Sequence, residues 1–341
     1  MEIKLKPIGE QVAVIFGASS GIGRLTALEF ARRGAKVCVV ARGETGLQTL
    51  VAEIEANGGE AFYLVADAAD FEQVKAVADK TVEKFGRLDT WIHSAAAFIF
   101  STVEKTSPEE YKRLIEVNLL GQIYGAKAAL PHLKKQGGAL IHLSSAEAWR
   151  TAPYQSAYGA SKHGIRGFLQ VLRVELEHEK IPVAVTQILP AAINTPIYDK
   201  GRNNMPFKPR PVPPIYHPQI VTDTIIYAAE NPSTDIIAGG AGVGVMYAER
   251  ISPRLADWVS EKVGFIGQTT DEKSSGDYAG SLFETVDGFD TIEGRFSDEQ
   301  LKSDPITWLA THQAAKNVLL ATTALAGGLL AWKVFGKREK S

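Results

Sequence analysis

The sequence is short of cysteine: Cys38 is the only one in 341 residues. A disulfide framework within the chain and a cysteine metal site are therefore excluded. Cys38 lies in the apolar run KVCVVAR and reads as a small buried residue. An excess of charge of one sign is lacking too. Lys and Arg number 37 against 39 Asp and Glu, a formal net charge of −2. A nucleic-acid partner, which normally calls for a basic surplus, is not indicated. The apolar share of 45% and the charged share of 22% are those of a folded globular chain. The opening residues, MEIKLKPIGEQVAVIFGAS, show no apolar stretch followed by a small-residue cleavage site. The bulk of the protein is accordingly expected in the cytosol. Internal repeats are absent from the sequence.

What is present is an alternation of strand-length apolar runs and helical patterns. Strands are predicted over 11–19, 35–42, 60–67, 88–96, 138–145 and 181–190, with 236–246 as a last strand. Helices are predicted over 24–34, 45–59, 71–86, from 107 onward, around residue 158 and over 218–232. Ser107, Pro108 and Glu110 form the signature of a capping box. Near-continuous apolar strands alternating with helices imply an α/β fold: a doubly wound parallel sheet of about seven strands, covered on both faces. Residues 1–250 read as a dinucleotide-binding catalytic domain, 251–312 as a helical or irregular extension, and 313–341 as an apolar helix with a basic tail.

Two local patterns carry chemistry. The first is FGASSGIGR, with Gly17, Gly21 and Gly23 between the first strand and the first helix. Glycine removes Cβ, so a pyrophosphate can approach the backbone, and the helix start offers free N–H groups and a positive dipole end. The second is AYGASKHGIRGF, which places Tyr158 four residues before Lys162 on one helical face. Such a pair alone arises by chance about once in a chain of this length. Hydride transfer at a carbonyl carbon needs a proton transferred at the oxygen. A free tyrosine, with a pKa of about 10, is a poor base at neutral pH, and a nearby cation favours tyrosinate. Ser145 ends the fifth strand, at the sheet edge where ligands bind in open α/β folds. Its hydroxyl there suits polarising a substrate oxygen, with Ser144 as a competing assignment.

The glycine spacing, the Tyr158–Lys162 pair, Ser145 thirteen residues upstream of Tyr158, and Asn118 in VNLLG together resemble the classical short-chain dehydrogenases/reductases. The resemblance covers roughly residues 8–250 and implies a Rossmann-type fold and an NAD(P)-dependent alcohol/carbonyl oxidoreductase. It implies Tyr158 as acid/base, Lys162 as electrostatic tuner and ribose anchor, Ser145 as substrate polariser and Asn118 as holder of a relay water. It implies a cofactor set of Gly17, Ser19, Ser20, Gly21, Ile22, Gly23, Arg42, Asp67, Ala95, Tyr158, Lys162, Pro190, Ile193 and Thr195. Asp67 would meet the adenine, and Thr195 the nicotinamide carboxamide or the pyrophosphate. Three positions depart from the family pattern: Phe16 for threonine, HSAA (93–96) for Asn-Asn-Ala-Gly, and Ala191 for glycine. At the second of these, His93 is expected to supply a hydrogen bond. A homo-oligomer through the helices carrying Asn118 and Tyr158 is a further implication. Metal ligands are not expected.

The end of the second strand reads VVARGE, with Ala41 where an NAD-binding carboxylate would stand and Arg42 next to it. Arginine matches a 2′-phosphate, so NADP(H) is expected in preference to NAD(H). The Pro-rich loop 195–218, with Ile197, Tyr198, Met205 and Phe207, is expected to line an apolar substrate pocket. The polar run from about 265 to 305 reads as an irregular tail. Residues from Asn317 to Trp332 carry no charge, and KREK follows. This stretch reads as a membrane anchor, with an interfacial helix or a helix packed on protein as alternatives. Two other functions remain open. A nucleotide-sugar epimerase or dehydratase also uses Tyr and Lys, but the glycine spacing and the lack of a large second domain speak against it. A non-catalytic cofactor-binding scaffold or redox sensor would have no need of all four chemical residues.

Overall fold

The computed structural model describes residues 3–317. Seven parallel strands form one sheet: β1 Val12–Phe16, β2 Lys36–Ala41, β3 Glu60–Val65, β4 Thr90–His93, β5 Gly138–Leu143, β6 Val183–Pro190 and β7 Asp235–Ala238. Their spatial order is β7-β6-β5-β4-β1-β2-β3, with the chain reversing direction of growth between β3 and β4. That order is the doubly wound one, and its reversal point lies beside β1, where ligands bind.

Alternate residues of the central strands feed two cores. Ala13 and Ile15 face one core, with Phe30, Leu50 and Val221. Val14 and Phe16 face the other, with Trp91, Leu133 and Leu169. Helices α1 Gly21–Arg32, α2 Glu44–Ala56 and, later in the chain, Gln219–Glu230 cover the first face. Helices α3 Phe71–Phe85, α5 Gly121–Leu133 and α6 Ser156–His178 cover the second. Helix α4, Pro108–Ile115, opens with the expected capping box: Ser107 accepts from the Glu110 amide and Glu110 accepts from the Ser107 amide. Between α4 and α5 lies a π-turn, Glu116–Leu120, a form that recurs at functional sites.

Two expectations shift. Helix α1 begins at Gly21, three residues before the predicted start, because the glycines that obscure its periodicity are inside its first turn. The last strand ends at Ala238, and Gly240–Ile251 is helix. Glycine contributes no side chain to a periodic pattern, so GAGVGVM mimics the strand it follows.

Beyond β6 come the short helix α7 Ile197–Lys200, then α8, the Gln219–Glu230 helix, α9 Gly240–Ile251, α10 Pro253–Val259 and α11 Pro305–Thr311. The chain from 251 to 311 folds back over the carboxyl edge of the sheet. Short strands Thr269–Lys273 and Phe207–Pro209 pair with each other, and Gln300–Leu301 pairs with Ile215–Tyr216. No helix among the described residues is long and apolar enough to cross a membrane. The apolar helix expected at the C-terminus lies, from residue 318 on, outside the described residues.

Candidate active site

The turn after β1 is built around missing side chains. Gly17 has φ +90°, and a Cβ there would lie 2.4 Å from the Ala95 nitrogen. A Cβ on Gly23 would lie 2.1 Å from the Gly17 carbonyl oxygen. Only glycine fits at either position. The Gly17 and Ala18 amides donate to the Val40 carbonyl at 2.7 and 3.0 Å, tying the turn to the end of β2. The bare turn and the first turn of α1 open onto a cleft of about 460 Å³ at the carboxyl edge of the sheet. A backbone without Cβ, facing a helix start, fits a dinucleotide pyrophosphate.

Tyr158 and Lys162 lie one turn apart on α6, and both line this cleft. Lys162 Nζ donates to the Leu143 carbonyl at 3.1 Å and sits 5.1 Å from the Tyr158 ring centroid. Ser145 follows β5 and caps the short turn Ala146–Ala148 by accepting from the Glu147 amide at 3.1 Å. Its neighbour Ser144 donates to the Lys162 carbonyl at 3.4 Å, a bond that supports the helix. Asn118 sits in the π-turn, wholly buried. Its side chain accepts from the Ala97 amide at 2.7 Å and donates to the Ala97 carbonyl at 3.0 Å, which clamps the loop leaving β4. The cleft thus gathers Tyr158, Lys162, Ser145 and most of the expected cofactor residues in its lining. Asn118 and Gly23 are not in that lining; they support it, Asn118 through Ala97 and Gly23 through its close contact with Gly17.

The family model for short chain dehydrogenases matches residues 11–206. The chain belongs to the short-chain dehydrogenase family. An uncharacterized oxidoreductase of Bacillus subtilis (strain 168), YxnA, is 32% identical over 334 residues, which span 97% of this chain and 92% of that one. A 3-oxoacyl-[acyl-carrier-protein] reductase of Synechocystis sp. is 32% identical over 67% of this chain and 93% of its own. An alcohol dehydrogenase from the archaeon Thermococcus sibiricus, solved with 5-hydroxy-NADP, superposes with a TM-score of 0.59 at 28% identity, covering 67% of this chain and 95% of that one. This short-chain dehydrogenase is therefore an oxidoreductase of the alcohol/carbonyl class with a nicotinamide dinucleotide site.

The electrostatics of the dehydrogenase site are set by burial. Burial raises the Tyr158 pKa above its ordinary value; Glu147 and Tyr198 add to the rise, and the Ser145 hydroxyl works against it. Burial also brings Lys162 down to about 8, with Glu147 opposing. The expected pull of Lys162 on the phenol is thus outweighed here by the burial of the phenol itself. Tyr158 stands in its protonated form.

Glu147 was not among the expected site residues. It lines the cleft, its Oε2 is shut from solvent without a hydrogen-bond partner, and burial lifts its pKa to about 8. In the sequence it is an unremarkable glutamate two residues past Ser145. Lys200 was also missed: its Nζ donates to Ser20 Oγ at 2.7 Å inside the cleft.

Other expectations are redistributed. His93 supplies no hydrogen bond; neither ring nitrogen has a partner, and the ring stacks on Phe16 at 5.0 Å. Gln122 bridges the strands instead, donating to the His93 and Leu143 carbonyls at 3.2 Å each. Of the loop residues, Ile197 and Tyr198 line the cleft. Met205 and Phe207 do not; they pack with Phe98 and Phe100 in an aromatic cluster behind it. Asp67 lines the cleft and is ion-paired to Arg113 at 2.5 Å. Arg42 is held by the run expected to be an irregular tail: its guanidinium donates to the carbonyls of Ser281 at 2.5 Å, Leu282 at 3.3 Å and Phe283 at 3.1 Å. Residues 277–294 form a strap across the adenosine end of the cleft, with Leu282 buried against Leu114, Val117 and Ala157.

Proposed function

We propose that this short-chain dehydrogenase reduces a carbonyl compound with an apolar body, using NADPH in preference to NADH. Tyr158, Lys162, Ser145 and Asn118 are its working set in this reading. The observation that carries it is Tyr158, held protonated beside Ser145 in a cleft next to a bare glycine turn. When bound, the nicotinamide supplies the hydride for the carbonyl carbon. The Ser145 hydroxyl holds the substrate oxygen, and Tyr158 gives that oxygen its proton. Lys162 stabilises the tyrosinate left behind and, with a pKa of about 8, suits returning a proton to it. Asn118, by fixing Ala97 and reaching Ser161 at 3.3 Å, keeps the relay side of α6 in register.

Phe98, Tyr198, Val212, Val259 and Val263 give the substrate end of the cleft its apolar walls, and Glu147 is a polar point among them. This supports a substrate with an apolar body and a polar group near the reacting carbon. The preference for the phosphorylated cofactor is supported by Arg42 and by Ala41 where a ribose-binding carboxylate would otherwise stand. Residues 251–312 complete the catalytic unit of 1–250 in this reading, since Val259, Val263 and the strap close its cleft. A homo-oligomer is supported by Val171 and Val174, which are 57% and 66% exposed on α6.

A panel of ketones and aldehydes, scored by loss of NADPH absorbance, tests the activity. Consumption is expected with apolar carbonyl compounds and not with the Tyr158→Phe variant. Equal turnover in that variant would overturn the assignment of Tyr158.

A further inference from the structure

Lys200 ends α7, just past Thr195, in the loop between β6 and α8. Its ammonium turns inward to Ser20 Oγ, which belongs to the N-cap residue of α1 inside the glycine turn. Among the described residues no carboxylate lies within ion-pair distance of it; its chain neighbour Asp199 is taken by Arg295 at 2.9 Å. The charge that acts on it is a like one. Arg42 lies close enough to depress the Lys200 pKa further, after burial, to about 8. Arg42 also lacks an ion pair. Asp67 and Glu284 are within electrostatic reach of it, but Asp67 is bonded to Arg113. One residue of the strap joins the two chain segments: the Ser281 amide donates to the Lys200 backbone carbonyl at 2.7 Å, and the Ser281 carbonyl accepts from the Arg42 guanidinium at 2.5 Å.

Two cations that line one partly buried cleft, within electrostatic reach of each other and without a carboxylate partner, are unfavourable unless an anion joins them. We propose that Lys200 is a second cation of the 2′-phosphate site, clamping that phosphate against Arg42 from the opposite side of the glycine turn. The inference rests on the NADPH preference argued above and adds to it a residue from a distant part of the chain. The 2′-phosphate is favoured over the pyrophosphate because Arg42, whose charge acts on the Lys200 ammonium, leaves β2 at the ribose end of a doubly wound site, and Ser281 of the strap joins the two residues there. A charge-assisted bond to phosphate exceeds a neutral one in strength, so its loss is a large effect.

Binding of NADPH and of NADH, each followed by nucleotide fluorescence without substrate, tests this in the wild type and in the Lys200→Met, Lys200→Arg and Arg42→Ala variants. Lys200→Met is expected to weaken NADPH binding about tenfold or more, with NADH changed less than about twofold, and Lys200→Arg to keep most of the NADPH affinity. If the wild type prefers NADPH and Arg42→Ala loses that preference while Lys200→Met keeps it, the Lys200 proposal falls and the cofactor reading stands. If Lys200→Met weakens both nucleotides equally, Lys200 is a pyrophosphate or scaffold residue and the proposal is overturned. A wild type without preference for NADPH overturns the cofactor reading and the clamp with it.

Discussion

The amide of Gly21, in the middle of the glycine turn, donates to the carbonyl of Thr291 at 2.9 Å. Two hundred and seventy positions of sequence separate them, and the bond places the strap directly over the mouth of the cofactor cleft. The strap is anchored from below by Leu282, which is 1% exposed. Truncating it, as in Leu282→Ala, removes about 2–5 kcal/mol of local packing. Faster release of NADPH in stopped-flow fluorescence is expected. An unchanged release rate would mean that the strap does not retain the cofactor.

Tyr158→Phe keeps the ring against Phe98, a contact of 5.6 Å between centroids, and removes only the hydroxyl. Turnover is expected to fall by about a thousandfold or more, on the scale of lost acid catalysis. NADPH affinity should stay within a few-fold of the wild type, measured by fluorescence titration. A parallel loss of binding would show that the hydroxyl serves the cofactor rather than the substrate.

Glu147 raises the Tyr158 pKa, second only to burial among its causes. Replacing it with glutamine removes that influence, so tyrosinate forms at lower pH. In the oxidation direction, where tyrosinate is the needed base, the rising limb of the pH–rate profile should move to lower pH in Glu147→Gln. A limb that stays in place would separate the carboxyl from the phenol. Substrate KM should rise as well where the substrate uses the carboxyl's free Oε2.

His93 and His142 are wholly buried, and burial lowers both pKa values, that of His142 to about 3. An unfolded histidine titrates at about 6.5. Below that pH the unfolded chain takes up protons that the folded protein refuses. Stability is therefore fully present above about pH 6.5 and falls as pH drops from there, by up to about 1.4 kcal/mol per pH unit for each histidine. Urea unfolding midpoints between pH 7.5 and 5 measure the slope. His142→Asn, whose amide can still meet Gln122, should make the slope shallower; an unaltered slope would assign the acid sensitivity to other groups.

The sheet was legible because its strands are almost wholly apolar and its helices are periodic. Ser107 and Glu110 even announced their cap. The limits lay where side chains carry no period or where chemistry comes from afar. The glycines at 239–244 hid the end of β7 and the start of α9. His93 looked like a hydrogen-bonding substitute for asparagine, but only the packed structure shows its ring pressed on Phe16. Lys200 reads as an ordinary loop lysine, since nothing in TPIYDKGRNN indicates that its ammonium reaches Ser20, 180 positions away. The strap, polar and irregular in sequence, has no periodic face because backbone carbonyls do much of its bonding.

The strap also fixes an order of events. A chain made from its N-terminus completes the sheet and α6, with Tyr158 and Lys162, before residues 277–294 leave the ribosome. During that interval Arg42 has no carbonyls to hold it and the adenosine end of the cleft is roofless. Dinucleotide can therefore enter the young protein more freely than the finished one. A chain stopped after α9 would keep the sheet and the pair on α6, yet lack Val259, Val263 and the strap that close the cleft, and would exchange its dinucleotide quickly.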